Sequence, residues 1–113
     1  MSLINPEAIS RLRDFGGDKL LRGMIDLFVQ NAPVKAAAAR AALDAGDAPA
    51  LRSALHGLKS SAGQLGVVSV QRACAAGETL AADGALGECA AHVELIERDL
   101  PLACAALEDL RPA

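Results

Sequence analysis

The stretch "DAPALRSALHGLKSSAGQLG", residues 47–66, decides the fold. Leu51, Leu55, Leu58, Ala62 and Leu65 recur at alternating steps of four and three, the seam of an amphipathic helix packed against other helices. Asp47 suits the N-cap, Pro49 sits in the first turn where proline is allowed, and Gly66 ends the run, so a helix is predicted over about 48–65. The stretch also poses a question. Gly57, Ser60, Ser61 and Gly63 crowd into it, although a glycine inside a helix costs about 1 kcal/mol relative to alanine. Something on this helix needs room or close approach.

Turn signals divide the rest of the chain. A short first helix is predicted over about 6–14, with Asn5 as cap and Pro6 at its first position, broken by "FGGD". A second spans about 18–30, with Leu20, Leu21, Met24, Ile25, Leu27 and Phe28 on a broad apolar face. A third starts at Pro33, carries the alanine-rich run "KAAAARAAL" and ends at "DAGD", with Gly46 as C-terminal glycine. Beyond the central helix, a fifth covers about 68–82 with Val70, Cys74, Gly77 and Ala81 on one stripe. A sixth spans about 85–110, with Leu86, Cys89, Val93, Ile96, Leu100, Ala103, Leu107 and Leu110, and Pro101 is expected to bend it. Short connections make successive helices antiparallel. The predicted fold is all-α, a single domain over 1–113: an antiparallel up-down four-helix bundle with two additional N-terminal helices packed over one end.

Composition narrows the class. Of 113 residues 52% are apolar, many of them alanine, with no Trp or Tyr and only Phe15 and Phe28 as aromatics, which suits closely packed helices. A formal charge of −3 argues against a nucleic-acid partner. No run is long and apolar enough for a membrane span and no signal peptide is evident, so a cytoplasmic location is expected. Cys74, Cys89 and Cys104 are odd in number, form no CxxC pair and fall on or beside apolar stripes, so they read as buried thiols. Cys89 and His92 share a helix face, but two ligands do not make a zinc site, and no metal is expected.

His56 points away from the core. On a wheel of about 100° per residue it lies about 140° from the leucine seam, with Arg52, Lys59 and Gly63 about 80–120° away and Ser60 near 180°. These five residues share an outward strip. An exposed imidazole near neutral pH carries a free nitrogen lone pair and is a competent nucleophile, and Arg52 and Lys59 would attract an anionic phosphoryl group. Ser60 and Gly63 keep the surface low enough for another protein to approach. On geometry alone the plain reading, a solvated histidine beside two ordinary surface cations, is the favoured one.

The motif content adds to this. "HGLKSSAGQLG" resembles the His-x-Leu-Lys-Gly-Ser-x-x-x-Leu-Gly signature of the histidine-containing phosphotransfer (HPt) domain. "FGGDKLLRGMIDLFVQNAP" resembles that family's second helix, "AALDAGDAPALRSALHGLK" its approach to the histidine, and "LGVVSVQRACAAGETLAADG" the helix that follows. The resemblance implies that His56 is the phosphoacceptor and that Lys59 helps hold the phosphoryl group. Ser60 stands where the commonest form has glycine. Glu78 matches a position where the family often has Gln or Glu, able to hydrogen-bond one imidazole nitrogen and leave the other free. The bare residue reads equally as an exposed acid. Arg52 has no firm counterpart and enters through helical geometry only.

What the chain lacks assigns the rest of the chemistry to partners. It has no GxxxxGK[ST] loop and no kinase-like nucleotide motif, so ATP-driven autophosphorylation is not expected; the chain reads as a carrier rather than an autonomous enzyme. The resemblance implies receiver domains as partners, supplying an aspartyl phosphate and Mg²⁺, with no cofactor on this chain and little structural change on phosphorylation. Docking would need apolar surface near His56, for which Ile9, Leu12 and Met24 are candidates beside Ser60 and Gly63. A monomer is expected, and Met1 with the compact length favours a free-standing module. The alternatives are a helical adaptor that binds receivers without accepting phosphate, and a metal-binding bundle, for which the repeated inward Glu-x-x-His pattern is missing.

Overall fold

Three turns of one design join four helices, α1 (Pro6–Asp44), α2 (Ala48–Gln64), α3 (Val68–Ala82) and α4 (Leu86–Leu110). The structure, a computed structural model, describes residues 3–113; Met1, on which the expectation of a free-standing module partly rests, lies outside them. In each turn a glycine with φ near +70° (Gly46, Gly66, Gly84) follows the C-cap, and the next residue folds its N–H back onto the preceding helix. Asp47 N donates to Ala42 O at 2.9 Å, Val67 N to Ala62 O at 2.9 Å and Ala85 N to Leu80 O at 2.9 Å. These are the six-to-one bonds of a Schellman motif, which satisfy carbonyls the helix end would leave bare. The residue that closes one helix is also the N-cap of the next. Asp47 does both with its side chain as well, its Oδ1 accepting from Ala50 N at 3.1 Å.

Each helix packs on its chain neighbours, and α4 closes the ring against α1. The leucine seam lies where its spacing puts it, with Leu51, Leu55, Leu58, Ala62 and Leu65 all buried. From the other helices Leu21, Ile25, Phe28, Val70, Cys74, Val93, Ile96 and Leu107 meet it in one core. Bidentate pairs tie the outside together. Arg40 reaches Glu97 with Nε at 3.0 Å and Nη2 at 2.6 Å, joining α1 to α4, and Arg111 grips Asp26 at 2.6 and 3.0 Å.

The helix count corrects the sequence reading. The three N-terminal helices predicted there form a single α1 of 39 residues, and two extra helices over the bundle do not exist as separate elements. Gly17 (φ 70°, ψ −168°) kinks the chain at "FGGD", but helical geometry resumes at once, with no loop between the arms. At Pro33 the helix does not stop. The missing N–H and ring clash cost about 3 kcal/mol in a helix interior, yet buried Phe28 and Ala32 before it and Ala36, Ala39 and Ala42 after it hold both sides on one apolar stripe. Packing outweighs the local signal. The arm before the kink lies across the α2–α3 end: Asn5 N donates to Gly66 O at 2.8 Å, and Ile4 pairs with Val67 in an isolated antiparallel bridge. α4 runs unbroken through Pro101.

The two turn glycines that bound α2 face different surroundings. A Cβ on Gly66 would fall 2.8 Å from Ala8 Cβ and 2.9 Å from the Asn5 carbonyl oxygen, whereas one on Gly46 meets nothing within 4 Å. Gly46→Ala should therefore cost only the left-handed backbone penalty, about 1–2 kcal/mol. Gly66→Ala should cost at least about 1 kcal/mol more, because backbone must also move. Equal losses in urea unfolding would contradict the close docking of the N-terminal arm.

Candidate functional site

The helices α2 and α3 come closest where each offers an inward and an outward residue side by side. Leu55 and Gly77 face one another, and a Cβ on Gly77 would stand 2.9 Å from Leu55 Cδ1. Their neighbours His56 and Glu78 are thereby brought together on the surface. His56 Nδ1 lies 2.8 Å from Glu78 Oε1, and Lys59 Nζ donates to Glu78 Oε2 at 2.7 Å. One carboxylate thus bridges two residues a helical turn apart.

The bridge sets the state of the imidazole. Glu78 is only 16% exposed, and the hydrogen bond from Lys59 holds its carboxyl below the ordinary carboxylate range, with His56 adding to the effect and partial burial opposing it. An ionised carboxylate only accepts, so Nδ1 carries the proton. In the neutral ring the lone pair then falls on Nε2, on a side chain that is 65% exposed. Pro49, Arg52, Ser53, His56 and Glu78 line a hollow of about 430 Å³ beside the ring. Arg52 is exposed at its edge, four residues before His56, and has no hydrogen bond or ion pair among the described residues.

The small residues of α2 now have individual explanations. Gly57 lies under the stem of Lys35 from α1, whose Cδ and Cε would be 3.7 Å from a Cβ there, and whose Nζ donates to Ser61 Oγ at 3.2 Å. Ser61 Oγ in turn donates to Gly57 O at 3.2 Å. Gly63 makes room for Gln71 of α3, whose Nε2 would be 3.0 Å from a Cβ. It serves the α2–α3 contact rather than lying as open partner surface. Ser60 is exposed beside His56 as expected.

The docking candidates separate. Ile9 is buried in the core at 6% exposure and offers no surface, because the arm before the kink turns it onto the bundle end. Leu12 and Met24 are half-buried. Exposed apolar side chains that the sequence reading did not single out for docking are Phe15, Leu27 and Val34 on α1. Leu27 was assigned to the core face there; the buried stripe of this stretch is narrower, Leu21, Ile25, Phe28 and Ala32, and Leu27 falls beside it. Lys35 was also missed, for its alanine surroundings carry no functional signal.

Cys74 and Cys89 are buried and Cys104 is half-buried, all as free thiols. Burial pushes the Cys74 thiol up to about 12. Cys89 Sγ donates to Gly77 O at 3.5 Å. Among the described residues no three His, Cys, Asp or Glu side chains gather as metal ligands, and no helix is long and apolar enough to cross a membrane.

The carboxylate bridge has a consequence for stability. The folded-state pKa of Glu78 lies below its ordinary 4.5, so its contribution is complete above that value and is lost as pH falls through the depressed one. Urea unfolding from pH 7 down to about 3 should show a smaller loss for Glu78→Gln than for the wild type. Asp26, Glu97 and Asp99, also held low by arginine partners, contribute alike in both proteins. Parallel acid limbs for the two proteins would show that the bridge is not formed.

Comparison with known proteins agrees with this geometry. The Hpt domain family matches residues 23–111, which include His56, Lys59 and Glu78. The crystal structure of histidine-containing phosphotransfer protein B (HptB) from Pseudomonas aeruginosa PAO1 superposes with a TM-score of 0.89 at 27% identity, covering 96% of this chain and 94% of that one. No curated protein sequence matches the chain. With most of its length matched, an exposed histidine on its central helix and a bundle shared with a phosphotransfer protein, the chain belongs to the Hpt domain family, the histidine phosphotransfer proteins of phosphorelay signalling.

Proposed function

We propose that His56 is the phosphoacceptor and that the chain takes the group from the aspartyl phosphate of one receiver domain and passes it to the aspartate of another. The Nε2 lone pair attacks phosphorus, the P–O bond to the aspartyl carboxyl breaks, and that group leaves as a carboxylate. The Nδ1 proton stays in place, so the ring becomes a phosphoimidazolium whose charge faces the Glu78 carboxylate. Return of the lone pair to Nε2, as a second aspartate attacks phosphorus, regenerates neutral His56. Mg²⁺ belongs to the receiver in this scheme, where it would neutralise the phosphoryl oxygens; the chain itself needs no cofactor.

The observation that carries the reading is the 2.8 Å contact of Nδ1 with a carboxylate on a histidine that is otherwise open to approach. Apolar surface for docking is close by. Met24 and Leu27 from α1 border a groove that Lys35 and Ser61 also line, on the flank of the helix that presents His56 and Ser60. We assign the chain to the cytoplasm, as a monomer that binds receivers one at a time, with neither nucleic acid nor membrane as partner.

Incubation with a panel of phosphorylated receiver domains tests the proposal. The wild type should gain one phosphoryl group by intact mass, labile in acid and stable in base, and His56→Gln should gain none. Binding of receivers by a folded wild-type chain that never takes up phosphate would instead establish the non-catalytic adaptor.

A further inference from the structure

Two cations flank His56 on α2, and the structure gives them different occupations. Lys59 is 33% exposed, and its ammonium is committed to Glu78 Oε2 at 2.7 Å. Any phosphoryl group on Nε2 would have to share that ammonium with the half-buried carboxylate it already holds ionised, so Lys59 is at best a divided donor for it. Arg52 carries no such commitment. It stands one turn before His56 on the same outward strip, lines the hollow beside the imidazole, and has no partner among the described residues. Its guanidinium offers a planar pair of N–H donors that fits two phosphoryl oxygens, which a lysine ammonium does not.

We infer that in this chain Arg52 holds the transferred phosphoryl group, while Lys59 acts through Glu78 as a positioning residue that fixes the imidazole tautomer. This assignment rests on the phosphotransfer reading. It divides between two residues what the resemblance to the family places on Lys59 alone. In the loaded state the dianionic phosphoryl on Nε2 faces Arg52, and the Nδ1–H still donates to Glu78, which Lys59 keeps charged. Each anion then has its own cation. Neither has to be released for the group to arrive or depart.

The test measures uptake by His56 from two donors, a phosphorylated receiver at varied concentration and phosphoramidate, in wild type, Arg52→Gln, Arg52→Lys and Lys59→Gln. Circular dichroism confirms that each variant is folded, and imidazole ¹⁵N NMR reads the tautomer. Arg52→Gln should lower both the saturating rate from the receiver and the rate from phosphoramidate about tenfold, the loss of one charge-assisted hydrogen bond in the transition state. Its imidazole signals should stay those of the Nδ1–H form. Arg52→Lys should restore part of the rate. Lys59→Gln should instead shift the imidazole signals toward a mixture of tautomers. The inference is overturned if Arg52→Gln keeps wild-type rates, or if it changes only the receiver concentration at half-saturation, which would make Arg52 a docking contact. It is overturned equally if Lys59→Gln abolishes uptake with the tautomer unmoved. A wild-type chain that takes up phosphate from neither donor, like a His56→Gln control, would overturn the phosphotransfer reading itself and this assignment with it.

Discussion

Between Leu55 and Gly77 the backbones of α2 and α3 approach so closely that a single methyl group on the glycine would fall 2.9 Å from a leucine methyl. Most of what is described above follows from that approach. It needs a residue without a side chain on α3, fully buried leucines on α2, and two helices in fixed register. On the outer side of the same contact, the next residue in each helix becomes a partner of the other, His56 to Glu78. Core packing and chemistry are thus two faces of one register. A side chain added at Gly77 would separate the helices and weaken the site without touching a functional residue.

The site stores an electrostatic arrangement rather than a mobile one. A carboxylate at 16% exposure is costly to desolvate unless both oxygens are satisfied, and here one oxygen meets Lys59 and the other His56. That full satisfaction holds the imidazole in one tautomer before any partner arrives. The surrounding turns have little slack. Three near-identical glycine turns, each bonding back to the helix before it, leave no loop among the described residues able to close over the site. A carrier that is entered by a partner's active site has no use for a lid of its own.

The sequence conveyed the parts of this that are periodic or local. The seam of α2, the outward direction of His56 and the Gly46 and Gly66 stops were all visible in spacing, and the ends of α3 were read to the residue. The partnership of Glu78 with His56 came from resemblance, for an acid on α3 has no local feature that says which helix it faces. Where local signals competed with packing, they lost. Pro33 marks a helix end, yet the stripe running from Phe28 to Ala42 carries α1 through it, while the double glycine does interrupt the helix, as a kink at Gly17 rather than a loop. Gly63 read as open surface because a helical wheel gives an angle around one axis but not the occupant of that direction. Gln71 occupies it. Ile9 became core for the same reason: the kink at Gly17, not its own neighbours in sequence, decides where the arm lies.

His56 and Glu78 stand 22 residues apart, and nearly all of that interval is helix, divided by one turn with no spare residue. The interval therefore works as a ruler. One residue inserted or deleted within either helical part would rotate the far partner by about 100° about its axis and carry it about 1.5 Å along. The buried residues beyond the change on that helix would leave the core with it. Substitutions can be absorbed one at a time in such a segment, but changes of length cannot. Divergence of this chain between His56 and its carboxylate is thereby confined to exchange of side chains at constant spacing.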